Sequence, residues 1–279
     1  KIEFDEEGKV KSNYKIDGFI KDLKLSFLKK YNIKKLNLFF DYKKNNLLLS
    51  DISFSLNELN FLSDKILLKK IDNNFQVEGV VNHNIIDIDK KNLDLFIKPM
   101  FPKIDIKKIK FSSKNSFLLK INKKFKLNAF EVASEVLIDE FKTTNNFNLE
   151  DYFPDIKKDI LFSDNKLLID FKKDYFNITG KGDVLFQDNK DHFEFSINKK
   201  NDDINFKSLL KIKDNPFLID FLNYKKDEKT ETIIQYEGQQ NKKNERFIKE
   251  LSLREGKNKI ELKNLILNQK FEIVKLESL

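Results

Sequence analysis

The chain has no cysteine and no tryptophan, a single methionine (Met100), and only 7 glycines and 4 prolines in 279 residues. Without cysteine there is no disulfide framework, no thiolate metal site and no cysteine nucleophile. Long apolar runs are also missing. Phe117-Leu118-Leu119 and Val184-Leu185-Phe186 are typical of the longest, far short of the ~18–20 residues that span a bilayer as a helix. The two histidines, His83 and His192, read as lying in separate polar turns, and neither has a partner at ligand spacing. His192-Phe193-Glu194 matches the opening of a zinc deaminase signature whose cysteines do not exist here. Gly180-Lys181-Gly182 lacks the third glycine and the following helix of a dinucleotide fingerprint, and reads as a hairpin or bulge pair. Asp151, Asp155 and Asp159 are four apart, but Pro154 interrupts them, so a charged loop is expected. Asn177-Ile178-Thr179 is a formal glycosylation sequon inside a strand-like pattern. No calcium loop, phosphate loop or nucleophile elbow is present. The expectation is a non-catalytic chain that uses no cofactor and no metal.

What the chain has in abundance is phenylalanine, 28 residues, with 40% hydrophobic and 35% charged residues overall. Arg246 and Arg254 are the only arginines; every other basic residue is lysine, and the net charge is +8. Such a charge attracts an anionic surface. The lysine pairs, such as 43–44, 107–108 and 225–226, are spread along the chain, whereas a nucleic-acid footprint clusters. The phenylalanines alternate with polar residues instead of forming a base-stacking motif. No nucleic-acid partner is expected.

The dominant period is two. Ile52-Ser53-Phe54-Ser55-Leu56, Phe75-Gln76-Val77, Ile109-Lys110-Phe111 and Phe176-Asn177-Ile178 alternate. So do Phe193-Glu194-Phe195-Ser196-Ile197, Leu251-Ser252-Leu253, Ile260-Glu261-Leu262 and Phe271-Glu272-Ile273. Successive strand side chains point to opposite faces, so each run makes one apolar and one wet face. An antiparallel sheet of many short amphipathic strands, with few short helices, is the expected fold. Polar turns fall between the runs: Asp5–Lys9, Lys43–Asn46, Asp72–Asn74, Ser163–Asn165, Gln187–Asp191 and Glu255–Asn258. Phe19–Tyr31 and Ala129–Phe141 fit either a helix or a strand. Asn148–Asp151 and Asn215-Pro216 are candidate helix starts. Residues 1–279 read as one elongated β-rich segment. A soft break at 142–159 either divides lobes 1–141 and 160–279 or forms one long loop. The chain opens on Lys1, not Met, so a fragment of a longer protein is expected, with any signal or anchor lying outside it.

Two stretches carry glycine within apolar–polar alternation: Val77-Glu78-Gly79-Val80, and Ile178-Thr179-Gly180-Lys181-Gly182-Asp183-Val184. With the run Ile260–Leu267, they make the chain resemble the AsmA-like superfamily, which includes the TamB and YhdP relatives of Gram-negative bacteria. The resemblance implies a twisted β-groove, anchored in the inner membrane outside this segment and crossing the periplasm. It also implies phospholipid acyl chains as partners and a role in outer-membrane biogenesis. The apolar positions that would line such a groove are Phe54, Leu56, Val77, Phe176, Ile178, Phe193, Phe195, Ile197, Ile260 and Leu262. Alternation alone fits a closed β-sandwich of structural or adhesive type equally well, because a second sheet hides an apolar face as effectively as lipid does.

Overall fold

The computed structural model describes residues 4–9, 15–27, 31–72, 74–99, 102, 104–124, 126–146, 149–201, 203–220, 223–227, 229–241, 246–267, 273–276 and 278. Phe271 and Glu272 of the last alternating run, Asn73, Asn148, Met100 and the lysine pairs at 29–30 and 242–243 lie outside these residues.

The strands in chain order are β1 (Lys15–Phe27), β2 (Tyr31–Lys43), β3 (Asn46–Leu56), β4 (Leu59–Ile71), β5 (Asn74–Asp87), β6 (Ile106–Asn122), β7 (Leu127–Thr144), β8 (Asp159–Lys172) and β9 (Tyr175–Leu185). They continue as β10 (Asp191–Lys200), β11 (Asp203–Ile212), β12 (Leu218–Ile219), β13 (Tyr224–Lys225), β14 (Thr232–Gln240), β15 (Arg246–Glu255), β16 (Asn258–Leu267) and β17 (Ile273–Lys275). Fifteen of them form one large antiparallel sheet, in chain order and not closed into a barrel; β12 and β13 pair separately as a small hairpin. The helical stretch Lys90–Ile97 follows β5 and begins with Asp89 capping Asn92 N–H at 2.7 Å. Phe19–Phe27 and Ala129–Phe141 are strand, and Asn215-Pro216 leads into β12 without a helix. The chain forms two compact units. One is Lys1–Ile86 with Ser112–Glu135 and Asp170–Lys173; the other is Asp87–Phe111, Val136–Ile169 and Asp174–Leu279.

The strands are longer than the alternating runs that reveal them, because the phase of alternation slips inside the strands. In β3 the apolar positions are Leu47 and Leu49, then Ile52, Phe54 and Leu56. Asp51 sits at the slip with φ 49°. Asp22 in β1 (φ 54°), Lys35 in β2 (φ 52°), Asp164 in β8 (φ 55°) and Asn264 in β16 (φ 54°) occupy equivalent places. A left-handed residue within a strand is the mark of a β-bulge, and Asp and Asn tolerate it best of the residues with side chains. Two pairings shift register near these points, β1–β2 and β2–β3; β4–β5 also shifts, between Leu62 and Ile66, with no left-handed residue there. The Ser163–Asn165 stretch, expected as a turn, is therefore an in-strand bulge of β8. Asn165 bonds back to the Ser163 carbonyl at 2.9 Å. The true turns do use left-handed residues: Lys44 and Asn45 between β2 and β3, and Gly256 between β15 and β16.

Both histidines also lie in strands, not turns. His83 is buried in β5, its ring edge-on to Phe61 at 5.7 Å. His192 in β10 stands between Asp183 (3.2 Å) and Glu194 (3.3 Å).

Candidate functional site: an apolar sheet face

Residues directly opposite each other in an antiparallel ladder share a face of the sheet. In the second unit, registers across β9, β10, β11, β14, β15 and β16 produce apolar rows. One row is Gly182, Phe193, Leu210, Ile234, Leu253 and Ile260. The next is Gly180, Phe195, Ser208, Tyr236, Leu251 and Leu262; the third is Ile178, Ile197, Phe206, Gly238, Ile248 and Leu265. Between them, on the opposite face, run rows such as Thr179, Ser196, Lys207, Glu237, Glu250 and Lys263. The registers thus put Ile178, Phe193, Phe195, Ile197, Ile260 and Leu262 on one face. Phe176 shares it too, at its margin opposite Lys199.

The bulges keep this face apolar. In β8, Phe162 precedes Asp164 and Leu167 follows it, out of step by one residue. Yet Phe162 touches the ring of Phe193 (centroids 5.4 Å), and Leu167 reaches the same Gly180 that Phe195 covers. Phe141, Phe162, Phe193 and Phe195 form a continuous series of rings at 5.4–6.2 Å. In the first unit the same logic operates. Tyr42, Leu47, Leu68 and Val77 occupy one row, and Phe40, Leu49, Ile66 and Gly79 the next. Beyond the Asp51 slip, Phe54 stacks on Phe61 at 5.3 Å, and Leu56 lies opposite Leu59. Phe61 meets His83, which is in step with Gly79 along β5, so Phe54, Leu56 and Val77 share that unit's apolar face.

Cover is uneven. Part of the second unit's face is sealed by residues 149–156 and by the β12–β13 hairpin. Phe153, Phe217, Ile212 and Leu253 form a buried cluster there, with Leu210, Ile234 and Ile260 packed against it. Phe153 meets Phe186 at 5.1 Å and Phe217 at 5.2 Å. Away from this cluster cover is partial: Tyr236 is 40% exposed and Ile197 36%, while Ile248 and Leu265 of the third row are buried. In the first unit Phe54, Leu56 and Val77 are half-buried.

The wet face has features that alternation did not reveal. A concavity of about 480 Å³ is lined by Lys166, Lys181, Lys207, Glu194, Thr179 and Gln235 over Leu168 and Leu209. In the first unit Phe19 and Phe39, opposite each other, are 69% and 54% exposed. Elsewhere the wet face is laced with ion pairs. Glu78 is held below the usual carboxylate range by hydrogen bonds from Lys69 (2.9 Å) and Gln76 (2.8 Å). Glu261 is held below it by Lys259 and Lys263.

Among the described residues no group of three or more His, Asp or Glu side chains is arranged to hold a metal ion. No described helix is long and apolar enough to cross a membrane, which says nothing of strands. Compared with family models, with curated proteins and with solved structures, the chain finds no match.

Proposed function

We infer that the chain is a non-catalytic lipid-handling segment whose apolar sheet face takes up phospholipid acyl chains. The observation that carries this reading is the persistence of one apolar face across β9–β16, with Ile197 and Tyr236 left open to solvent. Bulges conserve that face where simple alternation would have broken it. An exposed contiguous apolar surface marks a place where something binds. Each acyl methylene buried there contributes about 0.8 kcal/mol, so one lipid tail is a strong partner. The net charge of +8 favours anionic headgroups beside it. Under this reading the chain belongs to an AsmA-like envelope protein. It would move phospholipid between inner and outer membranes from the periplasm, held by an inner-membrane anchor outside residues 1–279.

The buried cluster of Phe153, Ile212, Phe217 and Leu253 favours a second reading, a closed structural or adhesive β protein, because dry packing needs no lipid. Native mass spectrometry with lipid extraction on gently purified protein separates the two. Co-purifying phospholipid, reduced by Phe195→Asp, supports the open face. A lipid-free, monodisperse and stable protein supports the closed one.

A further inference from the structure

The cover over one part of the second unit's apolar face is attached differently from the sheet beneath it. The hairpin strands β12 and β13 are two residues each and form their own sheet, separate from the 15-stranded one. Phe217, just before β12, and the strand residues Ile219 and Tyr224 pack on rows that continue into the partly exposed face. Leu253 of the covered row is followed along β15 by Leu251, and Ile234 along β14 by Tyr236, which is 40% exposed.

Polar groups hold the feet of this segment. Asn215, 1% exposed, donates to Asp191 Oδ2 at 2.7 Å and to the Asn189 carbonyl at 2.7 Å, and accepts from Asn189 N–H at 3.0 Å. At the other foot the Tyr224 hydroxyl bonds Thr232 Oγ1 at 3.0 Å, and Asp227 N–H donates to Glu255 at 2.7 Å. One backbone bond, Leu218 N–H to the Tyr152 carbonyl at 3.0 Å, ties the hairpin to residues 149–156. Asp191 and Lys226 are buried at these feet, 1% and 4% exposed, and Asp191 Oδ1 has no protein partner. Ionisable groups are costly in a permanent dry core unless fully paired; Asn215, the Lys213 backbone and the charge of Lys226 offset part of that cost for Asp191, and its Oδ1 is left without a partner. Three features coincide: a small separate hairpin, an apolar underside on a continuing apolar face, and a half-satisfied polar latch.

We propose that the β12–β13 hairpin is a lid, latched by Asn215 on Asp191, which occupies part of the acyl-binding face and gives it up to lipid when the latch opens. Lid and acyl chains compete for Leu210, Ile234, Leu253 and Ile260. The competition rests on the lipid reading above; the latch stands on geometry alone.

Hydrogen–deuterium exchange on the full chain tests the latch. Asn215→Ala is expected to speed exchange in 217–226 by roughly tenfold or more, since it strips a buried acceptor of its donor, while β9–β11 keep their protection. Tyr224→Phe loosens the other foot and serves if Asn215→Ala does not fold. Exchange of 217–226 that always coincides with that of β10 and β11, in wild type and in both variants, makes the segment permanent core and overturns the proposal. The second arm incubates each protein with mixed phosphatidylcholine–phosphatidylglycerol vesicles and counts lipid retained per chain. More lipid on the loosened variants supports competition. A loosened lid with wild-type lipid load overturns competition and leaves the lipid reading intact. Selective loosening with no lipid on any protein overturns the lipid reading and the competition together, and leaves only the latch.

Discussion

Gly180 and Phe195 face each other across the β9–β10 ladder, and the Phe195 ring lies over the glycine where a side chain would otherwise stand. Gly238 and Phe206 repeat the arrangement between β11 and β14, with the ring Cζ 2.8 Å from where a methyl would sit. Both pairs lie on the apolar face. Aromatic cover of an in-strand glycine restores the packing that the missing side chain gives up. The Gly180-Lys181-Gly182 stretch, readable from sequence as a hairpin or bulge, is therefore a close-approach site in the middle of β9.

Gly180→Ala forces the new methyl into the Phe195 ring and Leu167. Overpacking of this kind costs about 1–3 kcal/mol. Urea denaturation should show a lower midpoint with an unchanged slope. Restored stability is expected in the double variant Gly180→Ala with Phe195→Leu, whose smaller side chain makes room.

Asp51 and Asp164 hold left-handed backbone at phase slips. A β-branched residue is poorly suited to that conformation, so Asp51→Val and Asp164→Val should each destabilise by about 1–2 kcal/mol. Glycine at either position should be close to neutral, because it adopts positive φ without strain. Thermal melts of the four variants check this; equal loss with valine and glycine would locate the effect in the carboxylate instead of the backbone.

Phe195→Asp in the second unit and Phe54→Asp in the first each place a charge on an apolar face. If those faces hold acyl chains, each variant should co-purify with less phospholipid than wild type, measured by extraction and mass spectrometry. Lys207→Ala, on the wet face opposite, should leave the lipid load unchanged.

Asp191 gives a pH dependence with a defined sign. Burial pushes its carboxyl above the usual range, against the hydrogen bonds from Asn215 and the Lys213 backbone and the charge of Lys226, and with the repulsion of Asp214. A carboxyl raised in the folded state binds its proton more tightly there than in the unfolded chain. Its stabilising effect is full below the unfolded value of ~3.9 and is lost as pH rises through the folded value. Glu78 and Glu261 act with the opposite sign, so the difference between wild type and Asp191→Asn isolates this group. Relative to Asp191→Asn, wild type should lose stability as pH rises above the unfolded carboxyl value of ~3.9, followed by urea midpoints at a series of pH values from there upward.

The strand character of this chain, the separation of apolar from wet positions within each run, and the polar turns at Lys43–Asn46, Gln187–Asp191 and Glu255–Asn258 were legible in the sequence. These properties depend on a residue and its immediate neighbours: side chains alternate every residue, and tight turns need Asn, Asp or Gly. Phe193, Phe195 and Ile197 could be placed on one face for that reason. How Phe54 relates to Leu49, or Phe162 to Leu167, could not be read the same way. An aspartate between two apolar runs looks like a turn until a partner strand pairs on both sides of it, and only the ladder distinguishes a bulge from a reversal. His83 likewise looks solvated in sequence, and it is the neighbouring strand that brings Phe61 onto its ring. The cover over Leu253 and Ile260 is longer-range still, since Phe153 and Phe217 reach them from loops about 40 to 100 residues away in the chain. Local side-chain geometry determined which residues are apolar-facing; tertiary register and long-range packing decided which of those are sealed and which stay exposed.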